Sequence, residues 1–453
     1  MSKRFISIVT ALAVLSTFSF TGCGSKSSTD KGSTAAATTG ANAAQGKPVT
    51  LSFWAAAITP ERDTFLKDMA AKFHEKNPNV TIDFLGVPGD LQAYRQKLDM
   101  AIAANQAPDI TNDFRADLIT RGYYAPLDDY FDKWSDKDKI NPAAVKTDRD
   151  LDQKAGKLYA MPYSSQPWVF WIRPDWFKEA NLPIPETWDQ MFDSIKKLTD
   201  KSKGRYGLSI RGGSGSANTL ETLMYSYSGI QEYFTKDGKS TINDPLNVEF
   251  VEKYLGMYNV YTPEDDLSKG WTELAATFQS GKAAIVFHNL GSASAQEKAF
   301  NGDRSKFMAI PNPKGVKGYV QHAGLNPLGV SIANTTKDKD AAWSFLTFYV
   351  SKDINSAYGK LYGEIPANSD TKDDAWIKDI PYFKTGADLL NSKDTHFGEN
   401  PYYLPGYMNI QSKIAEPMIQ KVMTKQMTAK EMLDTWAKAL EKEKADFDAA
   451  NKK

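Results

Sequence analysis

The sequence predicts an α/β protein of more than one domain, and three observations carry that expectation. Strand-like and helix-like patterns alternate from Val49 to Asp113. The 453-residue chain is 41% hydrophobic and 24% charged, a balance that supports a large core and excludes collagen-like, coiled-coil or wholly disordered chains. No fixed-period repeat of the solenoid kind runs through it.

The first residues read as an address. Met1-Ser-Lys-Arg4 is a basic start, and Phe5–Phe20 is an apolar run diluted by Ser and Thr. It falls short of the ~20 strongly apolar residues that span a bilayer, so a secretory signal over 1–22 fits better. Phe20-Thr21-Gly22-Cys23 resembles a bacterial lipobox with phenylalanine in place of the usual leucine, which marks Cys23 for lipidation. Cys23 is the only cysteine, so an intrachain disulfide and a Cys-rich zinc site are both excluded. Residues 24–47 lack aromatic and branched aliphatic side chains and read as a tether.

The body follows. Val49–Trp54 alternates apolar and polar residues, a strand pattern. Thr59-Pro60 is an N-cap and first helical position, with Phe65, Met69 and Phe73 at helical spacing and Asn77-Pro78 as a stop. Val80–Val87 is a second strand. A helix carrying Leu91, Tyr94, Leu98 and Ile102 on one face leads to a third strand at Pro108–Asp113. This βαβαβ order predicts a parallel sheet covered by helices, with ligands bound beyond the carboxyl ends of its strands. Trp54, Gly86–Asp90, Asp113, Phe114 and Arg115 lie at those ends. Thr187–Gln190 and Thr428–Glu431 are capping boxes opening later helices, with Trp188 and Trp436 as core residues.

Lys plus Arg and Asp plus Glu balance at 55 each, which leaves no electrostatic footprint for nucleic acid. Catalytic and metal motifs are near misses. Gly212–Ser216 lacks the last glycine of a nucleophile elbow. Asp237–Ser240 ends like a phosphate loop, but Tyr233 replaces the first glycine. His74-Glu75 is followed by Pro78 where a zinc helix needs its second histidine. Asp136 and Asp138 lack the glycine of a calcium loop. His74, His288, His322 and His396 show no ligand spacing. No catalytic residue, metal or cofactor is expected.

Aromatic residues make up 12% of the chain, and several stand in turn-like contexts: Tyr163, Trp168, Trp171, Trp271, Tyr402 and Tyr403. Flat rings stack on the C–H faces of a pyranose, while Asp, Asn, Arg and Glu bond its hydroxyl rim.

A family resemblance gathers these features. Val49–Phe84, Ala107–Ile110, Gly156–Tyr163, Trp171–Phe177 with Pro185–Trp188, Phe278–Ile285, Gly324–Ala333 and Tyr362–Pro366 resemble, in order, the extracellular solute-binding proteins of bacterial ABC importers. The likeness is to the branch that binds sugars and oligosaccharides. It implies a two-lobed periplasmic-binding-protein-like fold, each lobe a sheet flanked by helices and joined at a hinge. The implied lobes are 48–154 plus 320–371 and 155–319 plus 372–453. The implied ligand contacts are Trp54, Asp113, Arg115, Trp168, Trp171, His288, Asn289, Glu364, Tyr402 and Tyr403, to which the aromatic pattern adds Tyr163 and Trp271. Many relatives carry Tyr-Asn-Lys-Asp where this chain has Ile172–Asp175, so no tyrosine contact carries over there, and Arg173 is expected to support the hinge or pair with a carboxylate. The resemblance further implies a monomer that binds a sugar at the outer face of the cell membrane, lipid-anchored as on a Gram-positive surface, and delivers it to an ABC permease. The alternatives are the same scaffold with a peptide, polyamine or anion, a glycan-degrading surface lipoprotein, and an adhesion module.

Overall fold

The computed structural model describes residues 47–451 except Ala57, Gly89, Asp90, 324–326, Lys393 and Glu399. The expected signal segment, Cys23 and nearly all of the tether therefore lie outside the described residues. Within the body the strands are β1 (Val49–Ala55), β2 (Val80–Gly86), β3 (Ile110–Thr111), β4 (Met161–Ser165), β5 (Trp168–Ile172) and β6 (Ile285–Asn289). They continue with β7 (Met308–Ile310), β8 (Val320–Ala323), β9 (Pro327–Ile332), β10 (Ile365–Pro366) and β11 (Thr395–Gly398).

Local chemistry sets the first unit. Leu51, Phe53 and Ala55 of β1 are buried while Ser52 and Trp54 are half-buried, as an alternating strand requires. Thr59 caps Pro60–Lys76 by accepting from the Arg62 amide, and Leu66, Met69, Ala70 and Phe73 face the core. Phe65 is only half-buried, edge-on to Tyr358 at 5.7 Å. On Leu91–Ala103, Tyr94 and Leu98 are buried, but Leu91 is exposed.

Six strands form the first sheet in the order β10-β4-β9-β3-β1-β2. β1, β2 and β3 are parallel, as the βαβαβ pattern predicts. β9 joins antiparallel to β3 and β4, which makes the sheet mixed. The third strand is two residues long because Pro108 and the turn at Asn112–Asp113 bound it. Phe53, Phe73, Phe345, Tyr349 and Tyr358 fill its core. The chain runs from β1 outward to β2 and then returns to β3 on the other side, so the ends of β1 and β3 border a switch point.

The second lobe holds the antiparallel sheet β6-β5-β7. One core, around Phe170, Trp188, Phe250 and Trp436, covers one face; another, around Trp171, Phe278 and Phe307, covers the other. Both capping boxes form: Thr187 with Gln190, and Thr428 with Glu431.

Two expected boundaries move. β4 pairs with β9 and β10, so residues 155–165 complete the first sheet and the chain passes to the second at Gln166–Pro167. β8 pairs with β11 rather than with the first sheet, so the chain has rejoined the first sheet by β9 and not by Val320. Hydrogen bonding of the strands, invisible to composition, decides both.

Candidate functional site

The first lobe presents Trp54 where β1 meets the switch point. Its carbonyl accepts from the Tyr94 hydroxyl at 3.3 Å, and the Lys97 ammonium lies 4.9 Å from its ring centroid. Asp113 follows β3, but its carboxylate is held by Arg95, whose Nε donates at 3.0 and 3.2 Å and Nη2 at 2.9 Å. Only 5% of that side chain is exposed. Arg115 pairs with Asp99 at 2.6 Å and Asp117 at 3.4 Å. The two residues expected to reach a ligand thus brace each other's surroundings: a guanidinium beside a carboxylate forms a charge-assisted pair before any ligand arrives.

A polar network marks the passage between sheets. Glu364 is fully buried and accepts from Arg62 Nη2 at 2.8 Å, Ser164 Oγ at 2.5 Å and Gln166 Nε2 at 2.6 Å. Asn289 donates from Nδ2 to Gln166 Oε1 at 2.9 Å. The chain of contacts therefore runs from the helix after β1, through the crossing segment, to the end of β6. Glu364 and Asn289 are brought together as hinge residues, with the Glu364 carboxylate and the Asn289 amide N–H already engaged.

Two expected rings turn out to be core. Tyr163 is 2% exposed, packed 5.0 Å from Tyr349 and 5.2 Å from Tyr358. Trp171 is 0% exposed, against Tyr382 and Phe307, and its Nε1 donates to the Asn289 carbonyl at 3.3 Å. Strand parity is the reason for Trp171. Trp168 and Trp171 are three residues apart on β5, so they point to opposite faces and only one can serve an open rim.

Trp168 is the one that stays half-exposed, 5.2 Å from Phe287 and 4.9 Å from Trp271. Trp271, also half-exposed, opens the helix Trp271–Gln279. His288 stacks on it with centroids 3.6 Å apart, and Arg211 lies 4.9 Å over the same ring. Burial pushes His288 down to about 4, so the imidazole is neutral at pH 7 and the positive charge of this cluster rests on Arg211. Gly215, at φ +79°, makes room for that guanidinium, since a Cβ there would meet Arg211 Nη2 at 2.0 Å. The next helix, Ser216–Ser228, carries Asn218, whose amide donates to the Tyr402 hydroxyl at 3.0 Å. Tyr402 is exposed, whereas Tyr403 turns inward onto Phe447 at 5.3 Å. Burial pushes the Tyr403 phenol up to about 12.

Arg173 pairs with Asp175 at 2.6 Å, as expected. Arg211, Arg95, Lys97, Arg62 and Gln166 were not anticipated. The signal for Arg211 was its place after Leu208–Ile210 and before a glycine-rich turn, which reads as a loop unless the parallel bridge of Ser209 to Val286 is known. Among the described residues no cluster of His, Cys, Asp and Glu has the makings of a metal site.

Comparisons with known proteins bear on this arrangement. The chain is 23% identical over 356 residues to a mannitol-binding protein of Pseudomonas aeruginosa, covering 73% of this chain and 76% of that one. It is 26% identical over 242 residues to a polygalacturonan/rhamnogalacturonan-binding protein of Bacillus subtilis, covering 49% and 47%. The fold matches an ABC transporter solute-binding protein of Thermotoga lettingae crystallised with α-D-tagatose, with a TM-score of 0.72 at 18% identity, covering 88% of this chain and all of that one. The sequence profile of the bacterial extracellular solute-binding proteins matches residues 56–356. That profile spans most of the chain, which therefore belongs to the bacterial extracellular solute-binding protein family.

Proposed function

We propose that this protein captures a saccharide or polyol between its lobes and hands it to an ABC importer permease. The family and the fold are those of proteins that bind solutes for import without transforming them. The observation that carries the sugar reading is the pair of half-exposed indoles, Trp168 and Trp271, 4.9 Å apart beside the hinge-linked end of β6. Flat apolar surface next to polar donors suits a polyhydroxylated ring. The relatives named above are a mannitol-binding and a polygalacturonan/rhamnogalacturonan-binding protein, and the fold neighbour holds α-D-tagatose. Tyr402, Trp54 and Asn289 complete the proposed contact set, with Glu364 holding the hinge. Closure of the lobes on the sugar would add contacts absent from the open form and shift the population toward it.

In this reading the protein is a monomer held at the extracellular face of the membrane by lipid on Cys23; the lipobox-like Phe20–Cys23 and the tether-like composition of 24–47 support it. A thermal-shift screen of the purified protein against mono- and oligosaccharides and polyols tests it. Ligand at about 100 times Kd stabilises by about 2.7 kcal/mol, which raises the melting temperature visibly. The absence of a shift with every saccharide and polyol, alongside a shift with peptides or polyamines, would overturn it.

A further inference from the structure

Arg211 stands apart from the other arginines near the site. Arg62, Arg95, Arg115 and Arg173 each hold a carboxylate within 3 Å. The Arg211 Nε is shut off from solvent and has no hydrogen-bond acceptor among the described residues. Two carboxylates attract it from a distance, Glu416 and Glu273. Glu416 is already engaged, accepting from the Gly215 amide at 2.6 Å, and Glu273 sits in the first turn of its own helix. Burial outweighs both attractions and pushes Arg211 down to about 10, so the site charges a cost for a cation that the protein itself does not offset.

Cations near aromatic rings are common, roughly one pair per 70–80 residues, and mean little alone. What sets this one apart is its place and that, unlike Arg115, whose Nε also lacks an acceptor, it pairs with no carboxylate among the described residues. The guanidinium lies over Trp271, one of the two indoles proposed to carry the sugar. In the other lobe, the ammonium of Lys97 lies likewise over Trp54. Each lobe thus brings a cation to the ring it offers a ligand. A neutral hydroxyl accepts one hydrogen bond from a guanidinium and leaves the charge in place. A carboxylate accepts two parallel bonds and neutralises it.

We infer that the ligand is an acidic saccharide, and that Arg211 takes the carboxylate of a uronic acid residue stacked beside Trp168 and Trp271. The inference rests on the saccharide reading above and narrows it to a class. Arg211 is then the residue that selects charged over neutral sugars, and Lys97 adds attraction from the first lobe.

Calorimetry on the purified full-length protein tests this, using di- and trisaccharides of galacturonate and glucuronate against their galactose and glucose counterparts. The expected result is at least tenfold tighter binding of the uronides, weakened by added salt. Arg211→Gln should weaken uronide binding at least tenfold more than it weakens neutral-sugar binding, so that the preference disappears. Arg211→Lys, which keeps the charge but loses the fork, should fall between and guards against a variant that fails to fold. Equal or tighter binding of the neutral sugars by the wild type would overturn the inference and leave the saccharide reading standing. Undiminished uronide preference in folded Arg211→Gln would also overturn it. Binding of no saccharide at all, acidic or neutral, would overturn both.

Discussion

Replacing Glu364 by glutamine tests the hinge most directly. The carboxylate is wholly buried and accepts three hydrogen bonds, one from a guanidinium that is itself 21% exposed. Glutamine keeps the shape but removes the charge and turns one acceptor into a donor, facing Arg62, Ser164 and Gln166. Removing one partner of a buried pair costs about 3–5 kcal/mol, and the partial exposure of Arg62 places the expected loss near 3. Unfolding entropy of about 2.1 cal/mol/K per residue over roughly 400 residues converts that into a fall in melting temperature of about 3–4 °C. Differential scanning calorimetry of Glu364→Gln, Arg62→Met and the double variant measures it. If the pair is coupled as its geometry states, the double variant loses less than the two single losses added, by at least about 1 kcal/mol. A Glu364→Gln melting temperature within 1 °C of wild type, or strictly additive losses, would refute the reasoning.

Four further outcomes are expected. Trp168→Ala should weaken saccharide binding by about 1–2 kcal/mol, roughly 5–30-fold, with little change in the melting temperature; calorimetric titration reads it. Gly215→Ala forces a left-handed φ on alanine and drives its Cβ into Arg211, so a stability loss of about 1–3 kcal/mol and weaker ligand binding should appear together in denaturant melts and titrations. Burial pushes Glu221 up to about 7, well above its ordinary 4.5, amid Tyr233, Tyr407 and Gln411. The stability tied to its proton is complete below about pH 4.5 and is lost as pH rises through 7, so urea melts of Glu221→Gln should fall less steeply than wild type across that window. Thr187→Ala removes the capping box of Trp188–Leu198 and should cost about 1 kcal/mol in the same melts.

The parts of this molecule legible in the sequence are those governed by near neighbours along the chain. Alternation in Val49–Ala55, the caps at Thr59, Thr187 and Thr428, and the core positions of Trp188 and Trp436 all depend on residues a few places away. The antiparallel half of the first sheet was not legible, because β9 and β10 join strands more than a hundred residues upstream. The site divides the same way. Parity alone separates Trp168 from Trp171, an inference the sequence permitted but the turn-like context obscured. The pairing of Asp113 with Arg95, and of Glu364 with Arg62 across 302 positions, depends on where distant helices settle. Arg211 was hidden because its significance lies in a missing partner, and absence has no sequence pattern.

The two-residue passage at Gln166–Pro167 is one route by which backbone runs from one half to the other; the chain has returned to the first sheet by β9 and leaves it again beyond β10. Cutting a single route leaves the halves covalently joined by the remaining pair. A protease nick or an engineered chain terminus at 166–167 would therefore loosen torsion about the joint without letting the halves drift apart. Covalent straps in parallel resist separation of the halves more strongly than they resist rotation about the joint.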